Sequence, residues 1–268
     1  MDQTTILIIT AIPAFLFLLF VIFRKKGARP RIIHPFSDED RALLNEHVDV
    51  YRELSDEKQV EFENRMQHFL STTRVTGVNT EVEKLDELFI AASAIIPILN
   101  FPGWQYMNLN EVLLYPGSFN EEFSQEGAER SRLGVIGDGP YQNIMILSKD
   151  ALRQGFMNKS VPHNTAIHEF VHLIDKTDGA VDGVPEFLMS KQYVLPWLNM
   201  IRQKIEEIHQ NESDINPYGA TNQAEFLAVA SEYFFERPDL LQEKHPELYS
   251  LLSKMFRSQP EENSLPQT

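Results

Sequence analysis

The stretch His168-Glu169-Phe170-Val171-His172 constrains the fold of this chain more than any other part of its sequence. Residues four apart on an α-helix lie on one face, so a helix here directs both imidazoles toward the same point. Glu169 lies one step around that face, and Phe170 and Val171 turn toward an apolar side. The stretch therefore predicts a helix that buries one side in a core and lines a cleft with the other.

The surrounding sequence favours a helix over 165–176. Asn164 is suited to cap its amino end through the side-chain oxygen, and Ile167 and Ile174 extend its apolar side. A strand is expected upstream, over 143–148, because that segment is mostly apolar. A helix that follows a strand and turns polar side chains toward a cleft is typical of a catalytic helix.

Two imidazoles and one carboxylate in this spacing form the pattern with which zinc peptidases bind metal and activate water. Imidazole suits Zn²⁺, and its neutral form is available near pH 7. The pattern therefore predicts one Zn²⁺ ion bound by His168 and His172. It also predicts that Glu169 is the general base that takes a proton from water.

A catalytic zinc ion needs a third protein ligand and one open position. Three acids are candidates for this place: Asp178, Glu225 and Glu232. Asp178 has the spacing used by some zinc peptidases, but Asp175 occupies the turn at which those families need glycine. Glu225 and Glu232 are seven residues apart on one predicted helix, so they face nearly the same way and periodicity does not choose between them.

The composition excludes several classes of function. The 268-residue chain has no cysteine, which rules out disulfides, thiolate metal ligands and a cysteine nucleophile. Its 24 Lys and Arg against 39 Asp and Glu give a net charge of −15. So acidic a chain repels phosphate backbones, and we expect no direct nucleic-acid partner.

An apolar run at residues 4–23 is long enough to cross a bilayer as a helix, at about 30 Å. The only acid before it is Asp2, whereas five basic residues follow it within 24–31. This asymmetry predicts a single uncleaved transmembrane helix in the cytoplasmic (inner) membrane. The lipid bilayer would then contact residues 4–23, and the catalytic domain would lie in the cytoplasm.

The rest of the chain predicts an α+β fold in which helices predominate around a small sheet. The expected domains are an anchor with a basic linker at 1–31, a catalytic domain at 32–257 and a disordered tail at 258–268. Helices are predicted over 38–54, 57–70, 83–96, 165–176, 185–209, 222–236 and 245–256, and strands over 111–115 and 143–148. Residues 72–82 form a hairpin or an extended link, and 117–139 a polar, glycine-rich surface loop beside the site.

Two blocks of the sequence resemble a known family. Residues 168–186, HEFVHLIDKTDGAVDGVPE, and 216–238, NPYGATNQAEFLAVASEYFFERP, are similar to the characteristic blocks of the MtfA (Mlc titration factor A-type) zinc peptidases. The second block is also similar to the helix with the third zinc ligand in the anthrax lethal factor catalytic domain. The resemblance implies a zincin-like metallopeptidase domain that acts on peptide or protein substrates.

The resemblance also implies roles for individual residues. It selects Glu225 as the third zinc ligand over Asp178 and Glu232. It places Tyr218, seven residues before that ligand, over the metal, where its hydroxyl stabilises the oxyanion. Some members carry an additional histidine before the catalytic helix that blocks or completes the metal site, but residues 125–137 contain none.

Three nearby side chains have two interpretations each. Asp175 either accepts an N–H from a ligand histidine or is a solvated acid at the helix end. Glu232 either supports a ligand or is a surface acid. His163 precedes the helix, and a structural role is expected for it more than a functional one.

The leading interpretation is a membrane-anchored zinc metallopeptidase. The alternative, implied by the family's name, is a regulatory protein that sequesters a transcriptional repressor and in which the zinc site is secondary. A zinc hydrolase with a non-peptide substrate is a third interpretation. Retention of both Glu169 and Tyr218 favours an enzyme, since a protein that only binds a partner does not need them.

Overall fold

A computed structural model describes residues 35–126, 130–137, 142–158 and 163–257 of the chain. Across these residues helices predominate, and four short strands form one sheet. The expectation of a mostly helical protein with a small sheet is therefore confirmed.

The elements follow the chain in three groups. The amino-terminal group is α1 (Asp38–His47), α2 (Asp49–Arg52), α3 (Asp56–Thr72), β1 (Arg74–Gly77) and α4 (Lys84–Ile95). The middle group is β2 (Glu111–Tyr115), β3 (Gly134–Ile136), β4 (Ile144–Ser148) and α5 (Lys149–Met157). The carboxyl-terminal group is α6 (Thr165–Asp175), α7 (Lys191–His209), α8 (Gln223–Glu236), α9 (Pro238–Lys244) and α10 (Pro246–Arg257).

A reciprocal cap starts α1. Ser37 accepts a hydrogen bond from the backbone N–H of Asp40 at 3.1 Å, and the Asp40 carboxylate accepts one from the N–H of Ser37 at 2.9 Å. The single helix predicted over 38–54 is wrong, because the backbone at Val48 is extended and divides α1 from α2. The break allows both Val48 and Tyr51 to be buried in the core.

The sheet has the strand order β1-β2-β4-β3. The first three strands run parallel, and β3 lies antiparallel to β4 at the edge. One face joins the main core through Val112, Leu114, Met145 and Leu147. Of the two alternatives for residues 72–82, the structure shows an extended segment that contains β1 rather than a hairpin, because its partner is the distant strand β2.

The predicted surface loop at 117–139 contains the edge strand β3. Two backbone hydrogen bonds, each 2.8 Å long, hold the residues that flank β3 in the chain. Before the strand, the carbonyl of Leu133 accepts from the N–H of Ser148, and after it the N–H of Gly137 donates to the carbonyl of Ile144. Within the described part of the chain, β3 pairs with no strand other than β4. One of its edges is therefore available to an extended chain.

Pro196 lies inside α7 without dividing it. A proline lacks the N–H that would bond to the carbonyl four residues earlier, here that of Gln192. That carbonyl belongs to the first turn, which is already irregular, since the N–H of Tyr193 bonds to the carbonyl of Ser190. The helix also starts at Lys191 and not near residue 185.

Among the described residues, no helix combines the length and the apolar character needed to cross a bilayer. The prediction of a single-pass protein of the inner membrane is contradicted by this finding. The longest described helix, α7, has 19 residues but carries five charged side chains, which a lipid environment disfavours. The run at 4–23 on which the prediction of lipid contact rested lies outside the described residues, as do the predicted linker and the tail at 258–268.

Candidate metal centre

Helix α6 presents two histidines to a cleft. Asn164 caps the helix as predicted, accepting the backbone N–H of Ile167 at 3.1 Å. His168 and His172 lie one turn apart, and their ring centroids are 4.7 Å from each other. Phe170, Ile167, Val171 and Ile174 of the helix are buried in the main core. Packing on one side thus fixes the direction of both imidazoles on the other.

Helix α8 brings a carboxylate to the same point. Asn222 caps it by accepting the backbone N–H of Glu225 at 2.9 Å, so Glu225 lies in the first turn. Glu225 Oε2 is 2.9 Å from Nε2 of His168 and 3.3 Å from Nε2 of His172, and the two nitrogens are 3.1 Å apart. The three residues therefore each contribute one possible ligand atom, and these three atoms surround a single point.

These separations fit a tetrahedral metal site. Zinc bonds of 2.0–2.2 Å to nitrogen and oxygen place neighbouring ligand atoms about 3.3 Å apart. The electrostatics agree. Burial opposes a charge on His168, yet the carboxylates of Glu225 and Glu232 raise its pKa to about 10. Burial likewise opposes ionisation of Glu225, but the two histidines hold its pKa well below the usual range. The point where the three atoms meet thus favours a positive charge.

Glu232 lies on the opposite side of the His168 ring. Its Oε1 accepts the Nδ1–H at 2.7 Å, and its Oε2 accepts the backbone N–H of Asn164 at 2.6 Å and contacts Nδ1 of His163 at 2.7 Å. Both its oxygens are therefore occupied away from the cluster, although the residue is almost fully buried. Hydrogen bonding at Nδ1 orients the ring of His168 so that its Nε2 faces Glu225.

The other two acids near the motif also lie apart from the cluster. Asp178 Oδ1 accepts the backbone N–H of Ala180 at 2.9 Å, just past the end of α6. Asp175 is buried, so it is not a solvated acid. Its Oδ2 accepts the backbone N–H of Gly183 at 2.8 Å, and among the described residues its Oδ1 has no hydrogen-bond partner. No hydrogen bond joins it to His172 within that part of the chain.

The Asp175 bond holds the loop after α6 against the start of α8. Gly183 has a φ of +80°, and a Cβ there would lie 2.3 Å from the carbonyl oxygen of Gln223. Its own carbonyl accepts the indole N–H of Trp197 at 2.7 Å. Only glycine permits this close approach of two backbones. The arrangement ties the helix of the two histidines to the helix of Glu225 through the main chain.

Glu169 and Tyr218 flank the same cleft. Glu169 is almost fully buried, and burial raises the pKa of its carboxyl. Tyr218 is 53% exposed, and its ring centroid lies 5.9 Å from that of His168. Burial of the hydroxyl, with the charges of Glu225 and Glu169, raises the pKa of this tyrosine too. Both groups therefore hold their protons more firmly than in water.

The cleft has a volume of about 570 Å³, and one of its walls comes from the segment 117–139, which was predicted beside the site as a loop and not as a strand. That wall is β3 together with Arg132, two residues before the strand. A Cβ on Gly134 would lie 2.6 Å from Oε1 of Glu169, so the backbone of β3 packs directly on the carboxylate. The signal available in the sequence was the run Gly-Val-Ile at 134–136 within a polar segment.

Comparisons with known proteins agree with this geometry. Residues 24–257 match the family described as glucose-regulated metallo-peptidase M90. An uncharacterized protein of Synechocystis sp. is 31% identical over 240 residues, which cover 84% of this chain and 86% of that protein. Mlc titration factor A of Pectobacterium atrosepticum is 28% identical over 181 residues, covering 64% of this chain and 68% of that protein. The protein of the same name from Escherichia coli (strain 55989 / EAEC) is 27% identical, with 77% and 82% covered.

The family match includes both helices that meet at the cluster, and the curated relatives carry the name that the sequence blocks suggested. The family model matches most of the chain, and the His-His-Glu cluster lies at the cleft within the matched residues. The chain belongs to the M90 metallopeptidase family, among proteins of the Mlc titration factor A type.

Proposed function

We propose that the protein is a zinc-dependent metallopeptidase with a zincin-like fold that hydrolyses peptide bonds. His168, His172 and Glu225 hold one zinc ion in this proposal. The observation that carries it is the convergence of their three donor atoms, 2.9–3.3 Å apart, at the floor of an open cleft. Such separations suit a single ion bound by three protein ligands with one position left open.

Each catalytic role follows from the surroundings of one side chain. A bound zinc ion supplies Lewis acidity toward the attacking water and the scissile carbonyl. Glu169 takes the proton of that water and delivers it to the leaving amine, and its raised pKa suits a group that must both accept and donate. The protonated hydroxyl of Tyr218 donates a hydrogen bond to the developing oxyanion.

In this proposal the main chain of the substrate lies along β3, beside Glu169. The free edge of β3 exposes backbone N–H and C=O groups next to Glu169. An extended peptide that adds to this edge gains main-chain hydrogen bonds irrespective of its sequence. The bond to be cleaved is thereby held beside the proposed base.

The second candidate function is regulatory binding. The curated relatives are named for titration of Mlc, so sequestration of a transcriptional repressor by this chain is the alternative. In that case the metal site has a secondary, structural role. A buried carboxylate in the cleft and the tyrosine beside it favour the peptidase, since neither group is required for holding a protein partner.

The replacement of Glu169 by Gln separates the two functions. We expect Glu169→Gln to bind one zinc ion per chain, as the unmodified chain does, and to lose nearly all peptide hydrolysis, because it removes the base and leaves every ligand in place. Zinc content is measured by elemental mass spectrometry on the full-length protein, and hydrolysis on a fluorogenic peptide mixture. The exposed Glu247→Gln serves as the matched control and should retain both properties.

A second arm tests the ligands. His168→Ala, His172→Ala and Glu225→Ala are each expected to lose zinc, whereas Asp178→Ala is expected to keep it. Normal turnover by Glu169→Gln would refute the peptidase mechanism and leave the binding function. Full zinc retention by Glu225→Ala would refute the proposed third ligand.

A further inference from the structure

A second cavity, of about 660 Å³, opens one helical turn beyond the candidate ligands. Lys176, four residues after His172, lines both this cavity and the catalytic cleft. The two spaces therefore meet along the end of α6. The far wall of the second cavity is the loop before β2, which contributes Trp104, Tyr106 and Met107.

The topology of the sheet places this cavity in line with the free edge strand. Because β2 and β4 are parallel, the segments that precede them lie at the same end of the sheet. There the N–H of Asn110 donates to the carbonyl of Asn143 at 2.9 Å. β3 runs antiparallel to β4, so its last residue, Ile136, lies at that same end of the sheet. A chain extended along β3 toward Ile136 therefore leads to the end of the sheet at which Asn143 and Leu109 line the second cavity.

One part of the cavity wall is chemically suited to an apolar side chain, whereas the side chains around Asn143 and Lys176 are polar. The rings of Trp104 and Tyr106 pack edge to face with centroids 4.5 Å apart, and the Tyr106 hydroxyl donates to the carbonyl of Ala94 at 2.8 Å. These contacts fix the aromatic surface in place. Leu173 of α6 lies opposite, and Met107 at the rim is 81% exposed. Aromatic walls with a flexible methionine at the mouth accommodate large apolar groups of varied shape.

We propose that this cavity is a specificity subsite that takes an aromatic or large aliphatic side chain of a peptide substrate, on the amino-terminal side of the scissile bond. The proposal rests on the peptidase function above. Antiparallel pairing is the more stable arrangement for an added strand, so the amino-terminal part of the substrate lies toward Ile136. From Gly134, beside the base, to the cavity is a path of about two to four residues at roughly 3.3 Å each.

The experiment profiles cleavage of synthetic decapeptide libraries by the zinc-loaded full-length protein, with cleavage sites read by mass spectrometry. We expect the unmodified protein to prefer Phe, Trp, Leu or Met at a position two to four residues before the cleaved bond. Met107→Asp should lower that preference about fivefold and raise the acceptance of Lys and Arg at the same position. Met107→Leu should retain it. Leu195→Asp, which places a charge at a 71% exposed apolar residue of α7, is the control and should leave the profile unchanged.

The outcomes distinguish this proposal from the one on which it rests. Cleavage without any preference at those positions, or a preference that Met107→Asp does not alter, would overturn the subsite and leave the peptidase intact. Absence of cleavage in every library would refute the peptidase and the subsite together. A loss of preference shared by Leu195→Asp would also overturn the assignment, since it would not depend on the cavity.

Discussion

At the scale of single residues, Glu232 shows how a carboxylate outside the cluster shapes it. Its two oxygens accept from Nδ1 of His168, from the main chain at Asn164 and from His163. Burial alone would raise the pKa of this carboxyl, but hydrogen bonds from the two histidines lower it to about 2. A buried, ionised partner at Nδ1 orients the ring and makes Nε2 a stronger donor to a metal.

We therefore predict that Glu232→Gln weakens zinc binding about 10- to 100-fold while the fold is kept. The amide oxygen still accepts a hydrogen bond from His168 but carries no charge, and the amide nitrogen no longer accepts the backbone N–H of Asn164, so a smaller loss of stability is expected as well. Zinc affinity is measured by competition with a chromophoric chelator, alongside thermal unfolding of the zinc-free protein, which a merely structural role would alter first. Glu247→Gln is the control, and equal affinities in the two variants would contradict a positioning role for Glu232.

At the scale of elements, β3 is the part of the site that depends most on its neighbours. It has three residues and lies on α6 so closely that Gly134 has no room for a side chain. A methyl group there would meet Oε1 and Cγ of Glu169 at 2.6 and 2.7 Å and Cγ2 of Thr165 at 2.8 Å.

Gly134→Ala is therefore predicted to lower kcat/KM by about 10- to 100-fold with zinc content unchanged, because it displaces the proposed base, Glu169, and none of the three proposed ligands. Peptide hydrolysis and zinc content of the purified variant give the test. Gly117→Ala is the matched control, since its Cβ would only reach ordinary contact with Asp150 at 3.6 Å. If both variants turn over peptide at the original rate, Glu169 does not depend on β3 for its position.

The same element marks the limit of prediction from sequence. The strand β2 was predicted at its observed bounds, and the cap at Asn164 was predicted too, because both depend on local patterns. β3 was missed because three residues in a polar segment become a strand only through pairing with β4. Helical periodicity did not distinguish Glu225 from Glu232 as the third ligand. The two acids differ in the ring nitrogen of His168 that each contacts, Nε2 for Glu225 and Nδ1 for Glu232. This difference arises from the packing of α6 on α8, which a local sequence pattern does not contain.

At the scale of the whole molecule, one ion-pair cluster joins the carboxyl-terminal helices. Asp214 accepts from the hydroxyl of Tyr233 at 2.8 Å and from Nζ of Lys244 at 2.7 Å, and it contacts Nε2 of His245 at 2.8 Å. Burial alone would raise the pKa of Asp214, but these three partners lower it to about 2. The cluster thus connects α8 and the end of α9 to the segment that leads into the site.

We predict that Asp214→Asn destabilises the protein by about 1–2 kcal/mol at pH 7, a value reduced for partial exposure of the pair. The folded pKa lies below the unfolded value near 3.9, so the contribution is complete above about pH 5 and is lost as the pH falls toward 2. Urea unfolding at pH 7 and pH 3 should therefore give a difference from the unmodified protein that is roughly halved at the lower pH. A difference that stays constant, or that the exposed Glu243→Gln reproduces, would count against the cluster.

The division of the cluster between α6 and α8 has a consequence for how the protein is made. The two histidines leave the ribosome more than fifty residues before Glu225, and the carboxylate that orients one of them comes later still. A nascent chain can complete the whole sheet and present both imidazoles, yet it still lacks the third ligand. The three candidate ligands are therefore present together only after Glu225 has been synthesised, and a shorter nascent chain lacks both this carboxylate and the wall of the cleft that Tyr218 and the start of α8 form.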